Sequence, residues 1–316
     1  MRFPLFDTQQ ALGFLVSQTA YIEPDVYRVQ YPDIMYTRLV PVDSSASEWA
    51  KSVTFYSVDK VGNANWFDGY ATDMPLADIN RNAYEQSIEM AGIGYRYTME
   101  ELGQAMMTNI NLSSERAAAA RRAYEEFVDR MARIGDPRKG VTGLFNNPNV
   151  TRVTAIANGA GGPGNSPLWV NKTADQIITD VQNALVQVYS GSMTVEMADT
   201  ILLPIAQLNL LAQIRVPNTY GNALEYLAKY NIYTQTTQAP LTILGSLNLD
   251  TAGAGGTSRM IAYRRDPQIV KLHIPMPHRF LPVWQTGPLT FDVPGIFRMG
   301  ATEIRRPGAF VYLDGI

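Results

Sequence analysis

The chain has 316 residues, 46% hydrophobic and 17% charged, with a net charge of −3 and no cysteine. That much apolar sequence can bury a core and form two subdomains, which excludes a disordered chain. The missing cysteines exclude disulfides, thiolate metal sites and cysteine nucleophiles, and the absence of any basic run longer than a pair excludes a sequence-reading nucleic-acid domain.

Residues 1 to about 45 carry Pro4, Pro24, Pro32 and Pro41 among scattered aromatics. Proline at that density blocks a long helix or a central strand, so the segment is expected to be an extended arm laid on another surface, or else packed on its own domain. The N-terminus shows no positive-then-apolar secretory signal, which predicts a protein kept in the cytoplasm. The longest apolar stretch, Ile201 to Ile214, is broken by Pro204, Gln207, Asn209 and Gln213. It is shorter than the roughly 20 residues a membrane span needs.

Residues Lys51 to Val61 and Asn82 to Met90 alternate in the manner of strands and predict a long hairpin. The loop between them, with Trp66 and Phe67, is long enough to imply a use. A two-stranded ribbon is marginal alone, so it is expected to lie on a neighbouring subunit. Thr98 with Glu101 reads as a capping box opening a short helix over Met99 to Met106.

The longest stretch of one period runs from Ser113 to Gly135. Ala117, Ala120, Tyr124, Phe127, Val128, Met131 and Ile134 form an apolar stripe, and Arg121–Glu125, Arg122–Glu126, Glu126–Arg130 and Asp129–Arg133 stand four apart on the charged side. Ser113 or Ser114 is the expected cap, and Gly135 with Pro137 the stop. At 1.5 Å per residue this helix is roughly 30 Å long, a spine for flatter pieces.

Residues Gly135 to Val150 are rich in turn formers around a short apolar piece, and Gly159 to Pro167 is expected to be a surface loop. Thr173 with Gln176 opens a helix ending at Gly191. Beyond it are predicted a strand at Thr200 to Ile205, a helix at Gln207 to Ile214, a helix capped by Asn222, and strands at Leu241 to Leu249, Arg259 to Arg264 and Ile269 to Ile274. Together these read as an α/β subdomain over about 155–283, after which the last 30 residues return as strands to the spine.

Chemistry has little to stand on. The nearest approach to a phosphate-cradling loop, at Lys172 and Thr173, has Ser166 and Asn171 where glycines are needed. His273 and His278 are five apart in a proline-broken region without the converging ligands of a metal site, and no G-x-S-x-G elbow presents a serine. Glu100–Glu101 and Glu125–Glu126 are helix neighbours pointing about 100° apart, which suits solvated faces rather than a glycosidase pair. No catalytic residue, cofactor site or metal site is therefore expected. The chain has 20 Arg against 6 Lys. Interfaces favour that ratio, and a GC-rich genome would give it too.

The order of parts is what identifies a family. The arm, the ribbon, the spine, GVTGLFNNPNV, DTILLPIAQLNLLAQ, GNALEYLAKYN and the closing VPGIFRMGATEIRRPGAFVYLDGI together resemble a major capsid protein of tailed double-stranded DNA bacteriophages, over nearly the whole chain. The resemblance implies an α+β fold, the tailed-phage capsid fold shared with encapsulins. Its parts would be an N-terminal arm (1–48), an extended β-hairpin loop (49–92), a peripheral domain (93–154) with the spine helix at 113–135, an α/β axial domain (155–283), and closing strands of the peripheral domain (284–316).

It further implies pentamers and hexamers of an icosahedral shell around double-stranded DNA, a virion capsid assembled in the host cytoplasm. Scaffold, portal and decoration proteins would be partners, with packaged DNA held by non-specific proximity and no membrane involved. The expected subunit interface includes Trp66 and Phe67 at the ribbon tip and Arg122, Glu126, Asp129, Arg130 and Arg133 on the spine. An encapsulin-like nanocompartment of the same fold is the alternative reading, and a soluble hydrolase a distant third.

Overall fold

The computed structural model describes residues 33–63, 76–101, 112–160, 165–217 and 219–316. The chain divides into two units, Met1–Asp33 and Ile34–Ile316, and the second holds the elements below. In chain order they begin with α1 (Tyr36–Leu39), β1 (Val42–Asp43), β2 (Ser52–Val61), β3 (Asp78–Gly92), β4 (Tyr95–Thr98) and α2 (Leu112–Arg133). A small hairpin, β5 (Gly135–Asp136) and β6 (Val141–Thr142), leads to β7 (Thr151–Thr154), α3 (Ala174–Gly191), β8 (Thr200–Pro204) and α4 (Ile205–Gln213). Next come α5 (Ala223–Lys229), α6 (Ile232–Thr237), β9 (Thr242–Ser246), β10 (Arg259–Tyr263), β11 (Val270–His273) and β12 (Met276–Phe280). The last strands are β13 (Trp284–Gly287), β14 (Thr290–Val293), β15 (Gly295–Gly300), β16 (Thr302–Ile304) and β17 (Phe310–Asp314).

One five-stranded sheet, ordered β7-β17-β10-β8-β9, separates two cores. Because strand side chains alternate between faces, Met260, Ala262, Val311 and Leu313 face one core with Ile177, Val181, Leu185 and Val188 of α3. Ile261, Tyr263, Phe310 and Tyr312 face the other, with Tyr124, Val128, Met131 and Ala132 of α2. Every residue of β8, β10 and β17 is buried. Burial on both faces is why these strands read as unbroken apolar runs rather than alternating ones.

The helix ends are closed as their sequences require. Thr173 and Gln176 form the reciprocal capping box of α3, and Thr98 and Glu101 exchange the same two bonds at 3.0 and 3.3 Å. At the end of α2, the carbonyls of Ala132 and Arg133 accept from Leu144 and Phe145 N–H, each at 2.9 Å. Gly135 makes that return possible, since it sits at φ 76° and a Cβ there would lie 2.3 Å from the Val141 carbonyl. Asn146 locks the turn by accepting from Gly143 N–H and donating to the Ile134 carbonyl.

Several expectations are corrected. Ser113 and Ser114 lie inside α2 rather than capping it, because the helix is already running at Leu112. In the last part of the expected arm, α1 and the residue after it pack on the chain's own domain, bringing Leu39 and Val40 into the core beside α2. Strand pairing crosses the expected segment divisions. β17 packs Phe310 and Tyr312 on the spine's core while pairing as the second strand of the five-stranded sheet, with β7 parallel at its side. β11 and β12, expected in the α/β piece, pair instead with β1, β16 and β15. Partner choice across more than a hundred residues is set by packing, which local periodicity does not report.

Candidate assembly surfaces

The ribbon is β2 paired with β3 over ten rungs, from Ser52 opposite Ser87 to Val61 opposite Asp78. At about 3.4 Å per residue this is on the order of 30 Å of two-stranded sheet. The lower part of β3, from Ile88 to Gly92, pairs with β15 and anchors the ribbon to the body. Above that anchor no described strand pairs with either edge.

Opposite residues of an antiparallel pair share a face. One face carries Phe55 stacked on Tyr84 at 5.1 Å, and the Arg305 guanidinium lies 4.9 Å from the Phe55 ring. The other carries Tyr56, Val58 and Ile79, all exposed, with Arg81 5.8 Å from the Tyr56 ring. Trp66 and Phe67, expected at the tip, lie outside the described residues.

The spine presents a narrower charged face than its spacing suggests. Arg122 and Glu126 pair at 2.9 Å, and exposed Arg130 lies over the Phe127 ring at 5.4 Å. Asp129 does not belong to this face. It is buried, accepts the Met35 N–H at 3.0 Å and pairs with Arg133. Arg133 reaches in turn to the Leu247 carbonyl at 3.5 Å. Glu125, spaced to meet Arg121, accepts the Tyr36 hydroxyl at 2.9 Å. Asp129, Arg133 and Glu125 thus tie the spine to its own chain, because α1 occupies that side of the helix.

Both histidines are taken up by the fold. His273 Nε2 meets Glu303 at 2.6 Å, and His278 Nε2 meets the Ile93 carbonyl at 3.0 Å. Around His273 the charges converge on three strands, with Lys271 2.9 Å from Asp43 and Arg305 3.2 Å from Glu303. Hydrogen bonds from Ser45 and Lys271 hold the Asp43 carboxyl well below its ordinary range. Burial works to raise Glu303, but the bonds and charges of His273 and Arg305 leave it lowered. Among the described residues no group of three or more His, Asp or Glu side chains is placed to hold a metal ion.

Two features escaped the sequence reading. Arg259 and Asp314 form a forked pair inside the core, where Arg259 also donates to the Phe145 carbonyl at 2.6 Å. The second is the hairpin of β13 and β14, which with β4 makes a separate three-stranded sheet. Its signal was a Gly287-Pro288 turn between two β-forming runs.

A family model described as Major capsid protein matches residues 62–316. The fold is similar to that of the capsid of Myoviridae phage XM1, with TM-score 0.78 and 17% identity over 95% of this chain and 98% of the other. It is also similar to a Mycobacterium phage Bobi chain, with TM-score 0.60 and 13% identity over 98% of each. A capsid of a native GTA particle gives TM-score 0.64 and 11% identity over 98% of this chain and 99% of that one. None of the curated proteins matches the sequence.

Proposed function

The chain belongs to the major capsid protein family, a family of structural shell proteins, and from that premise we propose that its copies assemble as pentamers and hexamers of a closed icosahedral shell around double-stranded DNA. The observation that carries this reading is the ribbon. Ten rungs of hairpin with Tyr56, Val58 and Ile79 exposed are not stable as an isolated two-stranded sheet and call for a neighbour's surface. Heterologous contacts repeated around a rotation axis close into rings. Each can be modest, because many act together.

In this reading the ribbon is the extended loop and lies on an adjacent subunit, with Trp66 and Phe67 near its tip. The α2 face with Arg122, Glu126 and Arg130 fixes the register between neighbours. The five-stranded sheet with α3 to α6 is the axial part around the capsomer centre, and α2 with β12 and β15 is the peripheral part. Assembly takes place in the host cytoplasm, with scaffold, portal and decoration proteins as further partners. DNA is packed against the wall by proximity, in keeping with a net charge of −3 and no sequence-reading surface. The capsid matches favour this reading over a nanocompartment.

The test is electron microscopy with light scattering of the full chain expressed alone and then with the scaffold encoded beside it. Closed shells, tubes or five- and six-fold rings are the expected result. A chain that stays monomeric under both conditions overturns the reading, and protected double-stranded DNA in particles from infected cells separates a genome shell from a cargo compartment.

A further inference from the structure

We propose, resting on the shell reading above, that the sheet β13–β14–β4 is a second contact between copies of this chain, in which Trp284 of one copy seats over Arg96 of the next. The inner face of this sheet is well anchored. Tyr97 and Val293 are buried, and Tyr95 packs edge-on to Tyr97 and Phe280 at 5.3 and 5.2 Å. The outer face is the opposite case. Trp284 is 70% exposed although it is paired across from Asp292, and Val283 and Leu289, just outside the two strands of the hairpin, are 59% and 63% exposed. A large aromatic displayed on a fixed strand is the usual anchor of an interface.

The receiving cation is on the same face. One rung across the sheet reads Trp284, Asp292, Arg96. Asp292 grips the Arg96 guanidinium with both oxygens, at 2.5 and 2.9 Å, while the Arg96 side chain stays 63% exposed. Its plane is thereby fixed, which leaves a flat cation for an aromatic ring to stack on. Beside it, at the Tyr95–Val293 end of the sheet, a groove of about 360 Å³ is lined also by Gly94, Tyr95, Val293 and Pro294.

In its own molecule Trp284 does not line this groove, whose walls come from β4, β14 and the residues flanking them. Projecting ring and groove are therefore different patches of one surface. That is the requirement for a head-to-tail contact, which closes into a ring when copies are related by rotation. A second copy is the occupant whose chemistry fits, since it brings the same tryptophan to every groove of a shell.

Hydroxyl-radical footprinting of assembled particles against dissociated subunits tests the contact, with mass spectrometry reading each tryptophan. In particles assembled from this chain, Trp284 should oxidise roughly tenfold more slowly than in free subunits, as expected for a hot-spot aromatic. Buried Trp169 serves as the unchanged reference. Arg96→Ala should return several-fold of that oxidation while leaving the subunit's unfolding midpoint nearly unmoved. Particles in which Trp284 oxidises as fast as in the free subunit overturn the proposal. So does protection that appears only with a second protein, or that survives Arg96→Ala undiminished. Failure of the wild-type chain to form particles would instead be seen by microscopy, and would remove the shell reading together with this contact.

Discussion

Arg259 and Asp314 face each other across one rung of β10 and β17, joined by two bonds of 2.6 and 2.8 Å inside the core. The Tyr312 ring lies 4.5 Å from the guanidinium. Removing one partner of such a pair strands a buried charge at a cost of about 3–5 kcal/mol, whereas removing both leaves none. Asp314→Ala should therefore lower the urea stability of the unassembled subunit by that amount. The double variant Arg259→Met with Asp314→Leu should lose less than Asp314→Ala alone. Equal losses would show that the charge is not what matters.

The cluster around His273 predicts an acid-sensitive fold. Asp43 and Glu303 both have lowered pKa values in the folded chain, so the folded state binds fewer protons than the unfolded state as acid is added. Their contribution is fully present above about pH 4, the ordinary carboxylate range, and is lost as pH falls through the folded values. Urea midpoints should drop steeply below pH 4. Asp43→Asn should be less stable at pH 7, having lost its ionic bond to Lys271, and show a shallower slope below pH 4. An unchanged slope would rule out Asp43 as a contributor.

The spine separates residues that hold the subunit from residues available to a neighbour. Arg122→Glu with Arg130→Glu should change shell yield or diameter by electron microscopy while moving subunit stability by about 0.5 kcal/mol or less, as surface changes do. Asp129→Ala should do the reverse and destabilise the subunit itself by about 1–3 kcal/mol, because it leaves the Met35 N–H and Arg133 without their partner. Shells of normal yield and size from the double variant would show that this face does not set register.

The ribbon offers a cleaner contrast. Tyr56 and Ile79 share a face and are exposed, so Tyr56→Ala with Ile79→Ala should shift subunit unfolding by about 0.5 kcal/mol or less. If that face lies on a neighbour, the concentration at which particles appear in light scattering should rise at least several-fold, since each buried aromatic or aliphatic side chain is worth about 1.5–3 kcal/mol. An unchanged threshold would place the ribbon's contact elsewhere.

Local elements were readable because their causes are local. The 3.6-residue stripe of α2, the Thr173–Gln176 box and the alternation in β3 each report a structure built from neighbours in sequence. α6 went unread because its cap, Asn231, follows directly on Tyr230, where the preceding helix is expected to end, and six residues are too few to show a period. The placement of β17, the Arg259–Asp314 pair and the internal use of Asp129 depend on partners 55 to 160 residues away. Asp129 in particular is indistinguishable by spacing from Arg122 and Glu126. Only the arrival of α1 at that side of the helix makes it interior. The same limit hid the rung from Trp284 to Arg96, whose members are set side by side by sheet pairing alone.

The interior position of β17 also sets a timetable. β7 joins the five-stranded sheet only through β17, so Thr151–Thr154 must wait for Phe310–Asp314 to be synthesised before it has a partner. At 5–20 residues per second that interval is on the order of ten to thirty seconds. During it the apolar faces of β8 and β10 lack the strand that completes both cores. A ribosome that stops early therefore releases a chain with an open sheet rather than a nearly finished subunit. Such a chain exposes the kind of apolar surface that chaperones and proteases act on.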